Sequence, residues 1–272
     1  MNKVLRYLTK EKLEWLVADG GLYFGPASLQ SDEEEGIYNS TILGDLFESN
    51  PSKYIPPSAL KDKPESYRPH IDEVSRQMMQ EKRKSHFLNS WYSGDEESME
   101  MWDNYAPDGV VVVSTQEKLT NEAPSILKYA LTFSQIKYND KLKRTEIFHP
   151  LTVKHEKFSY ECEFRILFDA RAYSILTGYD RETYGQVFVG NKPSHESARI
   201  TAGIDKISQD MAPEFIRKKN CGYVLLYPLE NIFTEVRINP GCSEQQKSAL
   251  QAILSDAKLN IPVVASELAR HG

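Results

Sequence analysis

Tyr160-Glu161-Cys162-Glu163-Phe164-Arg165-Ile166-Leu167-Phe168 alternates in character along its length. A period of two is the mark of a half-buried β-strand, whose successive side chains point to opposite faces. The alternation predicts a strand over Ser159–Phe168, with Cys162, Phe164, Ile166 and Phe168 toward the core. Glu161, Glu163 and Arg165 then share the other face. Carboxylates two residues apart on a strand lie roughly 6.5–7 Å from each other. That is close enough for each to bias the other's ionisation, with Arg165 keeping at least one of them charged. The competing explanation is a solvated sheet face carrying an ordinary ion pair.

Working outward from this strand, the second half of the chain is strand-rich. Val110–Ser114 is a β-branched run of the kind that is buried, and Leu131–Tyr138 alternates clearly. Gln186–Gly190, Tyr223–Leu229 and Ile232–Ile238 add strands, and Ile261–Ala265 reads as an edge strand. Ser194–Lys219 is polar and reads as helical or irregular. The first half carries more helix. Val4–Leu8 is a short strand; Thr9 then caps a helix with Leu13, Leu16 and Val17 on one side, and Gly20-Gly21 ends it before a strand at Leu22–Phe24. His86–Tyr92 reads as a strand, Glu96–Tyr105 as a helix with Met99 and Trp102 on one side, and Glu117–Ala130 as another helix. Ser243–Lys258 is amphipathic, with Ser243 as its cap and Leu250, Ile253 and Leu254 on its apolar face.

Between Pro26 and Pro69 the periodicity breaks. Asp32–Glu35 is acidic, and Pro51, Pro56, Pro57, Pro64 and Pro69 punctuate the rest, with one helical turn expected near Ile42–Phe47. Loops of this length in a compact domain tend to carry function or mobility. Helical character returns over Ile71–Lys84, with Ile71, Val74 and Met78 at helical spacing. The expected organisation is one α+β domain over residues 1–272 with a Pro-rich acidic insertion at about 27–69.

Composition narrows the function classes. The 272 residues are 40% hydrophobic and 26% charged, the profile of a folded globular chain, and the net charge is −6. A chain of that charge does not coat nucleic acid or an anionic membrane with its whole surface, although a local basic strip such as Arg76–Lys84 is compatible with phosphate contact. Cys162, Cys221 and Cys242 are too few and scattered for a disulfide framework or a zinc cluster, and the six histidines lack metal-ligand spacing. No apolar run approaches a membrane span, and the opening residues lack a secretory pattern, so a reduced, cytoplasmic protein is expected. There is no Gly-x-Ser-x-Gly elbow, no Walker loop and no Gly-x-Gly-x-x-Gly turn. The remaining concentration of chemistry is His86–Tyr105, where Trp91 and Trp102, Tyr92 and Tyr105, Asn89 and Ser90 crowd one strand-turn-helix unit. Such a set can stack a planar ring and hydrogen-bond its edge. For Trp102 the plainer role of core anchor is favoured.

Several stretches together resemble the uncharacterised bacterial family known as domain of unknown function 2971. They are Leu5-Arg6-Tyr7, Gly21-Leu22-Tyr23-Phe24-Gly25-Pro26-Ala27-Ser28, Phe87–Trp91 with Met101–Tyr105, Lys154-His155, Tyr160–Arg165 and Glu235–Gly241. In such sequences an Asn-Asp-Pro-Phe-Glu turn stands where this chain has Ser31-Asp32-Glu33-Glu34-Glu35. More distantly, the order of an early Arg, a central aromatic-flanked Ser and a late Glu-x-Glu strand is similar to ADP-ribosyltransferases of the Arg-Ser-Glu type. That resemblance implies a split mixed or antiparallel β-sandwich with flanking helices. It maps onto Arg6, Ser90 and the pair Glu161 and Glu163, with Asn89-Ser90-Trp91 in place of the family's Ser-Thr-Ser.

The implied activity is consumption of NAD, by transfer of ADP-ribose to a macromolecule or by NAD hydrolysis, in the manner of a bacterial toxin or phage-defence effector. Expulsion of neutral nicotinamide needs neither a proton nor a metal. It needs negative charge beside the developing oxocarbenium ion and a fixed ribose. Glu163 is the expected catalytic carboxylate, and Glu161 the group that orients the acceptor or serves as its base. The expected NAD contacts are Arg6, Tyr7, Tyr23, Ser90, Trp91 and Arg165, with Arg6 on the pyrophosphate or ribose and Tyr23 or Trp91 stacked on nicotinamide. The acceptor is a protein or nucleic acid, and a protein partner such as an antitoxin fits this class. The alternative is a non-catalytic nucleic-acid- or protein-binding module on the same fold.

Overall fold

The computed structural model describes residues 2–30, 80, 82–138, 150–180, 183, 188–189, 192–193 and 212–270. The chain divides into two compact units. The first comprises Met1–Gly25, Phe87–Ser134 and Glu161–Gly272, and the second Pro26–His86 and Gln135–Tyr160. The expected insertion at 27–69 belongs to the second unit. Its residues from 31 onward, the Ile42–Phe47 turn and the Ile71–Met78 helix positions lie outside the described residues.

The first unit is mixed α and β, built on a largely antiparallel sheet with helices. Its strands in chain order are β1 (Lys3–Leu8), β2 (Leu22–Pro26), β3 (His86–Tyr92), β4 (Val110–Thr115) and β5 (Leu131–Gln135). The short β6 (Lys137–Tyr138) and β7 (Val153–Lys154) pair in parallel in the second unit. They are followed by β8 (Glu163–Asp169), an isolated antiparallel pair β9 (Phe188–Val189) and β10 (Lys192–Pro193), then β11 (Ile216–Lys219), β12 (Gly222–Leu225), β13 (Glu235–Ile238) and β14 (Val263–Ala265). The main sheet runs β11-β12-β2-β3-β1-β4-β13-β14, and β8 joins it by pairing with both β3 and β5. β3 therefore has three neighbours, β1, β2 and β8, and the sheet branches there.

The helices whose bounds lie among the described residues include α1 (Lys10–Asp19), α2 (Met99–Tyr105), α3 (Gln116–Asn121), α4 (Ala170–Thr177), α5 (Leu229–Ile232) and α6 (Glu244–Asp256). The caps explain their limits. Thr9 accepts from the Lys12 N–H, and Gly20 closes α1 in the left-handed region at φ 62°. Ser243 and Gln246 form a reciprocal capping box on α6, whose Leu250 and Leu254 are buried. One face of the sheet carries the main apolar core. Val4 and Leu8 of β1, Val110 and Val112 of β4, Phe87 and Trp91 of β3, and Phe164, Ile166 and Phe168 of β8 meet Leu13 and Leu16 of α1 and Leu250 and Leu254 of α6. Register confirms the alternation, because Arg6 pairs with Val112 and Tyr7 with Val111.

Four expectations are corrected. The Glu117–Ala130 helix stops at Asn121 and resumes as a 3-10 turn at Ser125, because Pro124 can neither continue the ladder nor tolerate a helical predecessor. In α2 the buried side chains are Met101 and Trp102, whereas Met99 faces water. Ile216–Lys219 is a strand, joined to β12 by a two-residue loop in which Asn220 takes φ 52°. The Tyr223–Leu229 strand ends at Leu225, and Leu229 starts the short α5.

Candidate functional site

The Tyr160–Phe168 stretch is broken at one residue. A 3-10 turn spans Glu156–Glu161, Cys162 sits at φ 38°, and β8 starts only at Glu163. Contrary to the expectation from the alternation, Glu161 and Glu163 are thus not neighbours on one regular strand. A left-handed residue separates them, and the Cys162 carbonyl accepts the Ser93 N–H at 2.8 Å, which fastens this kink to the end of β3. The inward set Phe164, Ile166 and Phe168 is as expected, and Cys162 is half-buried.

Beyond the kink, Glu163 and Arg165 pair along β8. The Arg165 guanidinium donates from Nε to Oε1 at 2.7 Å and from Nη2 to Oε2 at 2.8 Å. Both side chains are buried, at 5% and 1% exposure, so the pair is no solvated surface bridge. A fork-on-carboxylate bond of this kind fixes the carboxylate plane and favours its ionised form.

The strand alternation assigns the remaining candidates to faces. Phe87 meets Phe168 ring to ring, and the Arg6 guanidinium lies 5.9 Å from the centre of Trp91. Arg6 and Trp91 therefore come together on the core face. Glu163 and Arg165 point to the other face, and so do Ser90 of β3, Tyr7 of β1 and Tyr23 of β2, each out of phase with a core neighbour. Five of the eight expected site residues thus share one side, while Glu161 lies off the strand in the 3-10 turn before the kink. Arg6 and Trp91 lie behind the sheet, away from the face that carries Glu163.

Around Tyr7 the polar face is tightly built. Its ring meets the edges of Trp102 at 5.3 Å and Tyr92 at 5.9 Å, and its hydroxyl accepts the Ser98 N–H at 2.9 Å. Burial pushes the Tyr7 phenol well above its ordinary pKa. Tyr23 is raised to about 12, first by burial and then by its contact with the Cys221 thiol at 3.7 Å. Beneath α2, Glu97 is a buried hub. It accepts from Trp102 Nε1, Arg237 Nη1, the Ser266 hydroxyl and the Glu267 N–H. Burial alone would raise the Glu97 carboxyl, but these donors outweigh it and hold it below the usual range. Tyr105 of α2 donates its hydroxyl to the buried Glu161, at Oε1, over 3.1 Å. Sequence reading placed Tyr105 beside the site without giving it a role; its hydrogen-bond partner lies 56 positions away, beyond any local pattern.

On the core face, Arg6 has a different electrostatic standing. Its Nη1 is buried with no hydrogen-bond partner among the described residues, and burial pulls the guanidinium down to about 10. Behind Trp91, Asn89 bridges strands, donating to the Tyr23 carbonyl at 2.9 Å and accepting from Trp91 Nε1 at 2.6 Å. No group of His, Cys, Asp and Glu among the described residues is arranged to hold a metal ion, and no helix among them is long and apolar enough to cross a membrane. His149 and His195 lie outside the described residues.

No protein-family model, no curated protein and no solved structure matches the chain.

Proposed function

We propose that the chain consumes NAD, transferring ADP-ribose to an acceptor or hydrolysing the dinucleotide, with Glu163 as the carboxylate that faces the nascent ribosyl cation. The observation that carries this reading is the shared face of β1, β2, β3 and β8, which carries Tyr7, Tyr23, Ser90 and the Arg165-held Glu163. The branch at β3 also supports the split-sandwich form of the fold. In this reading the NAD contacts fall to Tyr7, Tyr23, Ser90 and Arg165, and Glu161 serves the acceptor.

The chemistry asks little beyond this. The C1′–N bond breaks with its electron pair leaving on nicotinamide, which departs neutral. A fixed, buried carboxylate stabilises the positive charge that grows on the ribose far more than a mobile hydrated one does. Arg165 keeps that carboxylate ionised and oriented. Tyr23 offers a ring for stacking and Ser90 a hydroxyl for the ribose edge.

One observation favours a second reading. Both oxygens of Glu163 are engaged by Arg165, as in a purely structural buried ion pair, and the unit would then be a non-catalytic binding module. Incubation with NAD and quantification of free nicotinamide separates the two. The enzymatic reading expects release by the wild type and a loss of at least a hundredfold, on the order set by removing one electrostatic stabiliser, in Glu163→Gln. Equal release from both proteins removes Glu163 from the role, and no release from the wild type removes the activity.

A further inference from the structure

Tyr105 is exposed at 38%, the only residue of α2 other than Met99 among the large exposed hydrophobic side chains of the described residues. Yet its position is closely determined. Ser98 caps α2 by accepting the Met101 N–H, Trp102 is locked by its bond to Glu97 and its edge contact with Tyr7, and Tyr105 follows Trp102 by three residues on neighbouring helix surface. Its hydroxyl ends on Glu161 Oε1. From the other side, the Cys162 carbonyl ties the Glu161 backbone to the end of β3. An anchored helix and a pinned kink thus converge on one buried carboxylate, whose partner Tyr105 is itself partly exposed.

We propose that Tyr105 is a positioning residue: its phenol orients the Glu161 carboxylate toward the nucleophile that attacks the ribose. This inference rests on the NAD-consuming reading and adds the acceptor side to it. The step balances without a further reagent. The nucleophile's oxygen forms a bond to C1′ as the C1′–N bond to nicotinamide breaks, the electron pair leaves with nicotinamide, and the nucleophile's proton passes to Glu161. With water as nucleophile the products are ADP-ribose and nicotinamide. Because Tyr105 touches Glu161 and not the reacting atoms, its effect should appear in turnover rather than in NAD affinity, and only while Glu161 is present to be oriented.

The experiment is a double-mutant cycle on the full chain with NAD in water, reading nicotinamide release. Tyr105→Phe keeps the ring and removes only the hydroxyl. The expected result is a fall in kcat of about tenfold, the size of one hydrogen bond, with KM for NAD within about twofold. In the Glu161→Gln background the same substitution should change nothing further. Thermal melting of each variant confirms folding. Unchanged kcat in Tyr105→Phe overturns this inference while leaving the role of Glu163 standing. An equal tenfold loss in the Glu161→Gln background also overturns it, because the hydroxyl would then act by some route other than Glu161. A wild type that releases no nicotinamide overturns both this inference and the reading beneath it.

Discussion

Arg165 closes on Glu163 through two parallel hydrogen bonds, 2.7 and 2.8 Å long, in a setting where both side chains are almost wholly shielded from water. A surface ion pair of this type would contribute little. A buried one behaves differently when cut, because the surviving charge is stranded. Arg165→Met is expected to destabilise the fold by about 3–5 kcal/mol. The double substitution Arg165→Met with Glu163→Leu should recover most of that loss, since no orphan charge remains. Denaturant unfolding of the two variants checks the prediction, and equal losses in both would contradict it.

Arg6 presents the opposite case. Its buried Nη1 has no partner among the described residues, and the guanidinium lies 5.9 Å from the centre of the Trp91 ring. Arg6→Met, of similar length and apolar, should leave stability within about 1 kcal/mol of the wild type or raise it. A loss of several kcal/mol in chemical denaturation would show that the guanidinium is satisfied by the folded chain.

Glu97 predicts a pH dependence whose sign follows from its environment. Its carboxyl is held below the ordinary value of 4.5 by Trp102, Arg237, Ser266 and the Glu267 N–H, despite the opposing effect of burial. A carboxyl lowered on folding contributes stability that is fully present above the unfolded value and disappears as pH falls through the folded one. The melting-temperature gap between wild type and Glu97→Gln should therefore be widest above about pH 4.5 and shrink below it. Arg237, Glu235 and Glu267 belong to the same cluster, so the profile reports a network rather than one isolated pair.

Cys162 combines a side chain with φ 38°, a region that costs about 1 kcal/mol or more for a residue other than glycine. Cys162→Gly should keep the Ser93 bond and raise stability or leave it level, whereas Cys162→Val should lower stability by about 1–3 kcal/mol. Comparison of their melting curves tests whether the kink is a strained feature of the native chain.

The particular residues show how far the sequence could be read. Thr9, Gly20 and Ser243 announced helix ends because caps are local chemistry, and the Val110–Val113 run announced a buried strand because β-branching and burial coincide there. Pro124 and Asn220 carried equally local signals, a helix stop and a tight hairpin, but an apolar cluster at Ile126–Ala130 and a polar run before Lys219 masked them. Cys162 gave no warning at all, since nothing in a Glu-x-Glu alternation marks a left-handed residue. The pairing of Glu163 with Arg165 was legible from strand spacing. Its burial was not, nor was the location of Arg6 and Trp91 behind the sheet, because face assignment across strands depends on register between segments distant in sequence.

The most direct measurement is nicotinamide liberated from NAD by wild type and by Glu163→Gln, with both proteins verified as folded. Release that collapses in the variant while melting behaviour remains cooperative is the predicted result. Identical traces, or a silent wild type, would contradict the claim that this carboxylate serves a ribosyl cation.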